Sequence, residues 1–264
     1  MQTAGSRDGT TIAYESAGHG PPLILVDGAM CHRRFGPAAP LAAQLTDDFT
    51  VITYDRRGRG DSGDTPPYAP EREVEDIAAL IDAAGGSAYL YGISSGAALA
   101  MDAAAHLPGV RKVAVYEAPF IVDDSRPPRP GDYIEAMDAL VAADRRGDAV
   151  ASFMKTVGVP GIGIAMMKLM PAWRKLKATA HTIPYDFRVL GDTGAGQPLP
   201  DERWRTVTAP ALVMAGGKSP AWMRNAQLAW AEVVPEAQHR TLDGQTHMLK
   251  PEVVAPVLKQ FFTG

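Results

Sequence analysis

Short apolar runs and amphipathic stretches alternate along most of this chain. Thr11-Ile12-Ala13-Tyr14 follows the turn signal Asp8-Gly9 and reads as an early strand. Pro22 to Asp27 and Phe49 to Asp55 are continuous apolar runs, the mark of strands buried on both faces. The first closes at Gly28, the second at Arg56-Arg57-Gly58-Arg59-Gly60. Between them, Pro37 to Leu45 predicts a short helix. Glu71 to Ala84 sets Val74, Ile77, Ala78 and Ile81 at helical spacing. A further strand, Ala88 to Tyr91, leads through a turn into a helix that runs to about His106, and Val110 to Tyr116 is the next strand.

The rhythm then changes. Residues 121 to 205 carry helical patterns and no convincing strand: Tyr133 to Ala143, Val150 to Val157, and Ile164 to Ala178 with a break at Pro171. Pro127-Pro128-Arg129-Pro130 opens this block, and a Gly/Pro-rich loop from Gly191 to Pro200 closes it. Alternation resumes with strand Ala211 to Ala215, helix Ala221 to Val233, strand Gln238 to Leu242 and helix Pro251 to Phe262. Strands alternating with helices imply an α/β fold with a mostly parallel sheet covered on both faces. Its functional loops then gather at the carboxyl ends of the strands. The expected organisation is a core from residues 1–120 and 206–264, with 121–205 inserted as a helical cap over that edge.

Composition narrows the class. The chain has 264 residues, 46% hydrophobic and 21% charged, with a net charge of −4 and a pI near 5.9. It is long enough to bury a large core without staples. No basic stripe invites nucleic acid. A single cysteine, Cys31, excludes an internal disulfide framework and fits a reducing cytoplasm. No N-terminal apolar segment resembles a signal peptide, and no run approaches the ~18 residues of a membrane span.

The chemistry centres on Gly92-Ile93-Ser94-Ser95-Gly96, which joins a strand to a helix. Glycine two residues either side of Ser94 permits a turn so tight that a Cβ there would strike neighbouring backbone. The serine hydroxyl is thereby exposed above a helix N-terminus. A hydroxyl is a poor nucleophile without a base. Of six histidines, His247 lies in the loop between the last strand and the last helix, where an imidazole reaches the strand ends. A carboxylate must then fix its tautomer. After the penultimate strand, where an acid is the commoner arrangement, the chain reads Gly216-Gly217-Lys218-Ser219-Pro220, with Ser219 at the acid's place. Glu117, ending the strand that follows the turn's helix, is the replacement; Asp243 is a second candidate, though only four residues from His247. Two backbone N–H groups are needed for an oxyanion: Ser95, and Ala29 beside Gly28.

The combination of Asp27-Gly28, Tyr54-Asp55-Arg56-Arg57-Gly58-Arg59-Gly60-Asp61-Ser62, Gly92-Ile93-Ser94-Ser95-Gly96 and Gly244-Gln245-Thr246-His247 resembles the α/β-hydrolase family over nearly the whole chain. The resemblance implies the α/β-hydrolase fold. Serine at 94 speaks against the dehalogenases and epoxide hydrolases of that family, which use Asp. An acid at Glu117, Asp-Gly at 27–28 and Ser-Ser-Gly at the turn resemble zearalenone-type lactonases, and Met248 resembles esterases. The implied activity is a serine esterase or lactonase acting through an acyl-enzyme, with no metal or organic cofactor. A small apolar ester or lactone is the expected partner, with Gly28, Met154, Met167, Met170, Trp173 and Met248 around it. The same fold also serves cofactor-free lyases, perhydrolases, cyclases and non-catalytic receptors, and the serine at 219 keeps these open. The oligomeric state, a homodimer included, stays open too.

Overall fold

The computed structural model describes residues 1–264 and contains one eight-stranded sheet in the order β1-β2-β4-β3-β5-β6-β7-β8. The strands are β1 (Gln2–Gly5), β2 (Thr11–Gly18), β3 (Pro22–Val26), β4 (Thr50–Tyr54), β5 (Ala88–Ile93), β6 (Val110–Tyr116), β7 (Ala211–Gly216) and β8 (Gln238–Leu242). β1 and β2 pair antiparallel, and so do β2 and β4; every later pairing is parallel. The expected mostly parallel sheet is therefore present. The sequence pattern does not announce β1, because Gln2-Thr3-Ala4-Gly5 buries only Ala4 and carries no apolar alternation.

Burial follows from sheet position. β5 and β7 sit inside the sheet and all their residues are buried, as their unbroken apolar runs require. β8 is an edge strand and buries only Leu242. The helices of the core are α1 (Ala38–Ala42), α2 (Pro70–Ala83), α3 (Ser95–His106), α9 (Ala221–Val233) and α10 (Pro251–Thr263). One large apolar cluster joins Ile24, Val26, Leu90, Val113 and Val213 to α2, α3 and α9. A second joins Leu23, Leu25, Tyr89, Tyr91 and Leu212 to α1 and α10. Alternate side chains of each strand feed opposite clusters, so the sheet is the middle of three layers.

Between β6 and β7 the chain forms only helices: α4 (Tyr133–Ala142), α5 (Arg146–Thr156), α6 (Gly161–Met167), α7 (Ala172–Thr179) and α8 (Ile183–Leu190), with short 3-10 turns at Ala180–Thr182 and Asp201–Arg203. Pro171 breaks α6 from α7 as its missing N–H demands. α8 lies beyond the helical patterns read from the sequence. No helix of the structure is long and apolar enough to cross a membrane.

Candidate active site

Three neighbouring strand ends carry strained backbone. Met30 after β3, Ser94 after β5 and Glu117 after β6 have φ of 62°, 58° and 50°, three of the five non-glycine residues in the left-handed region. Such strain persists only where surrounding structure over-determines it, and it clusters at functional sites. At Ser94 the cause is visible. A Cβ on Gly92 would lie 2.3 Å from the Gly96 carbonyl oxygen, and one on Gly96 would lie 2.3 Å from that of Val26. The turn is closed by backbone on both sides, and Ser94 takes φ 58°, ψ −129° to make it. Its N–H donates to Tyr116 O at 2.9 Å, which fixes the turn against the end of β6. Gly28 approaches from β3, where a Cβ would meet Ser94 Cβ at 2.8 Å and Oγ at 3.4 Å. Ser94 itself remains partly open to solvent.

Glu117 is fully buried, and both its carboxylate oxygens are occupied. Oε1 accepts the Gly216 N–H at 2.7 Å, and Oε2 lies 2.9 Å from His247 Nδ1. With Nδ1 protonated, that ring nitrogen donates to the carboxylate and Nε2 keeps its lone pair. The imidazole is 40% exposed, so it is anchored at one nitrogen and open on its other side. Its loop is stitched down independently: Tyr116 Oη donates to Thr246 O at 2.7 Å, and Lys218 N to Gln245 O at 2.8 Å. Tyr116 was not singled out from sequence, and nothing in the apolar run of β6 marks its hydroxyl. Asp243 is exposed and its carboxylate is not on the ring. Ser219 is buried with a hydroxyl that finds no hydrogen-bond partner. The acid that meets His247 therefore comes from β6, while the end of β7 supplies the Gly216 N–H to that carboxylate and the Lys218 N–H to the histidine's loop.

Beneath the turn lies a buried charge cluster. Arg56, Arg57 and Arg59 are almost wholly buried, and each has acidic partners. Arg56 donates Nε and Nη2 to the two oxygens of Glu73 at 2.7 Å. Arg57 pairs with Asp76 and Asp8, tying α2 to the turn between β1 and β2. Arg56 and Arg59 also meet at Asp186 on α8. The motif Arg56-Arg57-Gly58-Arg59 could have announced this, since buried guanidiniums demand carboxylates. Asp27 shares the region. Its Oδ2 has no hydrogen-bond partner, and burial pushes its carboxyl up to about 7 against the pull of Arg59 and Arg56. Burial likewise raises the Cys31 thiol to about 12. No group of three or more His, Cys, Asp or Glu side chains converges as metal ligands would.

The expected apolar lining separates into three. Trp173 is buried in the main core cluster, where α7 packs on α5. Met154 and Met167 are half-buried against that cluster. Met170 and Met248 are 55% and 85% exposed, so neither is walled into an enclosed pocket here. Met170 follows the end of α6, and Met248 lies in the loop after His247, where few side chains cover them.

The sequence pattern of the alpha/beta hydrolase family matches residues 18–257. An alpha/beta hydrolase from Sphaerobacter thermophilus DSM 20745 has a crystal structure that superposes with a TM-score of 0.90 at 52% identity, covering 99% of this chain and all of that one. A 2-(acetamidomethylene)succinate hydrolase of Mesorhizobium japonicum is 28% identical over 95% of this chain and 91% of its own length. A pimeloyl-[acyl-carrier protein] methyl ester esterase of Xanthomonas campestris pv. campestris is 28% identical over 87% of this chain and 89% of its own.

Proposed function

We propose that this chain, which belongs to the alpha/beta hydrolase family, is a serine hydrolase cleaving a carboxylic ester or lactone of a small apolar molecule. The observation that carries the reading is the 2.9 Å contact of His247 Nδ1 with the fully buried Glu117, one residue beyond the backbone that holds the strained Ser94. Ser94 Oγ attacks the ester carbonyl while His247 Nε2 takes its proton. Glu117 keeps the other nitrogen protonated and stabilises the imidazolium. The N–H groups of Ala29 and Ser95 hold the tetrahedral oxyanion. His247 returns the proton to the leaving alkoxide, and water activated by the same imidazole then hydrolyses the acyl-enzyme. Residues 121–205 act as a cap over the strand ends, with Gly28, Met154 and Met167 nearest the bound acyl group. The relative bearing an esterase name supports the ester class.

A panel of p-nitrophenyl esters and simple lactones tests this. Ser94→Ala is expected to abolish turnover, and Glu117→Gln to lower kcat by roughly 10³–10⁴. Near-normal activity in Glu117→Gln, or turnover surviving in Ser94→Ala, overturns the assignment.

A further inference from the structure

We propose that Asp186 is a positioning residue for both backbone donors of the oxyanion site, so that the inserted helices hold the catalytic loops in register. The inference rests on the assignment of Ala29 and Ser95 as those donors. A peptide unit is planar, and its C=O and N–H point in opposite directions. The Ala29 N–H therefore aims wherever the Gly28 carbonyl aims away from. Arg59 Nη1 donates to that carbonyl oxygen at 2.7 Å. A cation on the carbonyl fixes the plane and polarises the unit, which makes its N–H a better donor. Arg59 is itself oriented from the insertion: Nη2 donates to Asp186 Oδ2 at 2.7 Å, and Nε to Thr182 Oγ1 at 3.0 Å.

The second donor is held by the same carboxylate. Ser95 Oγ donates to Asp186 Oδ1 at 2.7 Å, anchoring the residue whose N–H faces the oxyanion. Arg56 Nη1 fills the space between the two loops. It lies 2.7 Å from Asp186 Oδ1, 3.3 Å from Asp27 O and 3.4 Å from Ser95 Oγ. One side chain, 91 residues from Ser95 in sequence, thus reaches the β3 loop through Arg59 and the β5 turn directly. Burial alone would raise this carboxyl, but Arg59 and Arg56 hold it below the usual carboxylate range. Arg56 pairs with Glu73 and Asp186, and Arg59 with Asp186, so neither buried cation lacks a carboxylate. Apolar residues would usually stabilise such a site as well. What they could not do is hold a carbonyl and a hydroxyl of two separate loops.

The test compares an activated ester with its thionoester, in which C=S replaces the carbonyl. Sulfur accepts hydrogen bonds weakly, so the thionoester depends less on the oxyanion donors. In Asp186→Asn, Arg59→Lys and Ser95→Ala, kcat for the ester is expected to fall roughly ten- to hundred-fold. KM should stay within about threefold, and the thionoester rate should fall far less, so the ester-to-thionoester ratio collapses. Ester and thionoester rates falling together would overturn the proposal. Should Asp186→Asn fail to fold, Ser95→Ala removes one hydroxyl, keeps the N–H and carries the same expectation. Arg188→Gln, on the same helix but paired with Asp138, should leave the ratio unchanged; an equal shift there also overturns the proposal. Turnover that survives Ser94→Ala, or its absence from the parent protein, defeats the serine-hydrolase reading itself and is read separately.

Discussion

Between β6 and β7, α8 and α6 are helices of similar length in opposite surroundings. α8 buries six of its eight residues, and α6 buries one of seven. Around α6 stand Ile162, Met166 and Leu169, all strongly exposed. α8 instead packs Phe187 against Tyr133 at 4.6 Å between ring centroids and stacks Tyr185 on Tyr68 at 3.7 Å. It also sends Asp186 into the charge cluster under Ser94. The difference teaches that the helices between β6 and β7 are not uniform: α8 is sunk into the main apolar cluster, while α6 meets it through Ile164 and Met167.

The sharpest way to break this contrast is Asp186→Ala. It leaves the buried Arg59 with no carboxylate partner and Arg56 with Glu73 alone, and the expected cost is about 3–5 kcal/mol of unfolding free energy, measured by urea denaturation. A loss below about 1 kcal/mol would mean that solvent compensates Arg59, contrary to its burial. Phe187→Ala comes next. It empties a site lined by Tyr133 and Phe153, with an expected loss of about 3 kcal/mol in the same assay.

A smaller effect follows from Asp27, in the field of the same two arginines. Its carboxyl is raised to about 7 when folded, against about 3.9 in an unfolded chain. Between these values the folded state binds more protons, so stability is fully present below about pH 4 and is lost as pH rises through 7. The contribution is on the order of 1 kcal/mol per pH unit across that window. Denaturation midpoints from pH 5 to pH 7.5 should fall in the parent protein, and Asp27→Asn should flatten the slope. A parent slope unaffected by the substitution would contradict the raised carboxyl. The smallest effect belongs to the exposed stretch just past α6: Leu169→Ala, at an 88% exposed position, should change stability by under about 0.5 kcal/mol.

Most of the sheet is legible in the sequence because its strands are buried on both faces and read as unbroken apolar runs, as Leu23 to Val26 and Ala211 to Ala215 do. The turn at Ser94 is legible because backbone on both sides leaves room only for glycine at 92 and 96. The contact of Glu117 with His247 is legible from strand adjacency, since β6 lies beside β5. Two features were hidden. α8 is eight residues long, so its apolar stripe Ile183, Phe187 and Leu190 spans barely two turns, and it spends an acidic residue, Asp186, on its buried side. The role of Asp186 is a property of tertiary contact alone, with its partners 91 to 130 residues away. The apolar lining expected around the acyl group was the least legible part. Methionine at helical spacing looks the same whether it meets the core, like Met167, or solvent, like Met170.

The central claim is that Ser94 is the nucleophile, and covalent labelling tests it most directly. The protein is treated with a serine-directed fluorophosphonate, digested and mapped by mass spectrometry. The account predicts a single stoichiometric adduct on Ser94, lost in Ser94→Ala. An adduct on Ser95, or none at all in the folded parent protein, would contradict it.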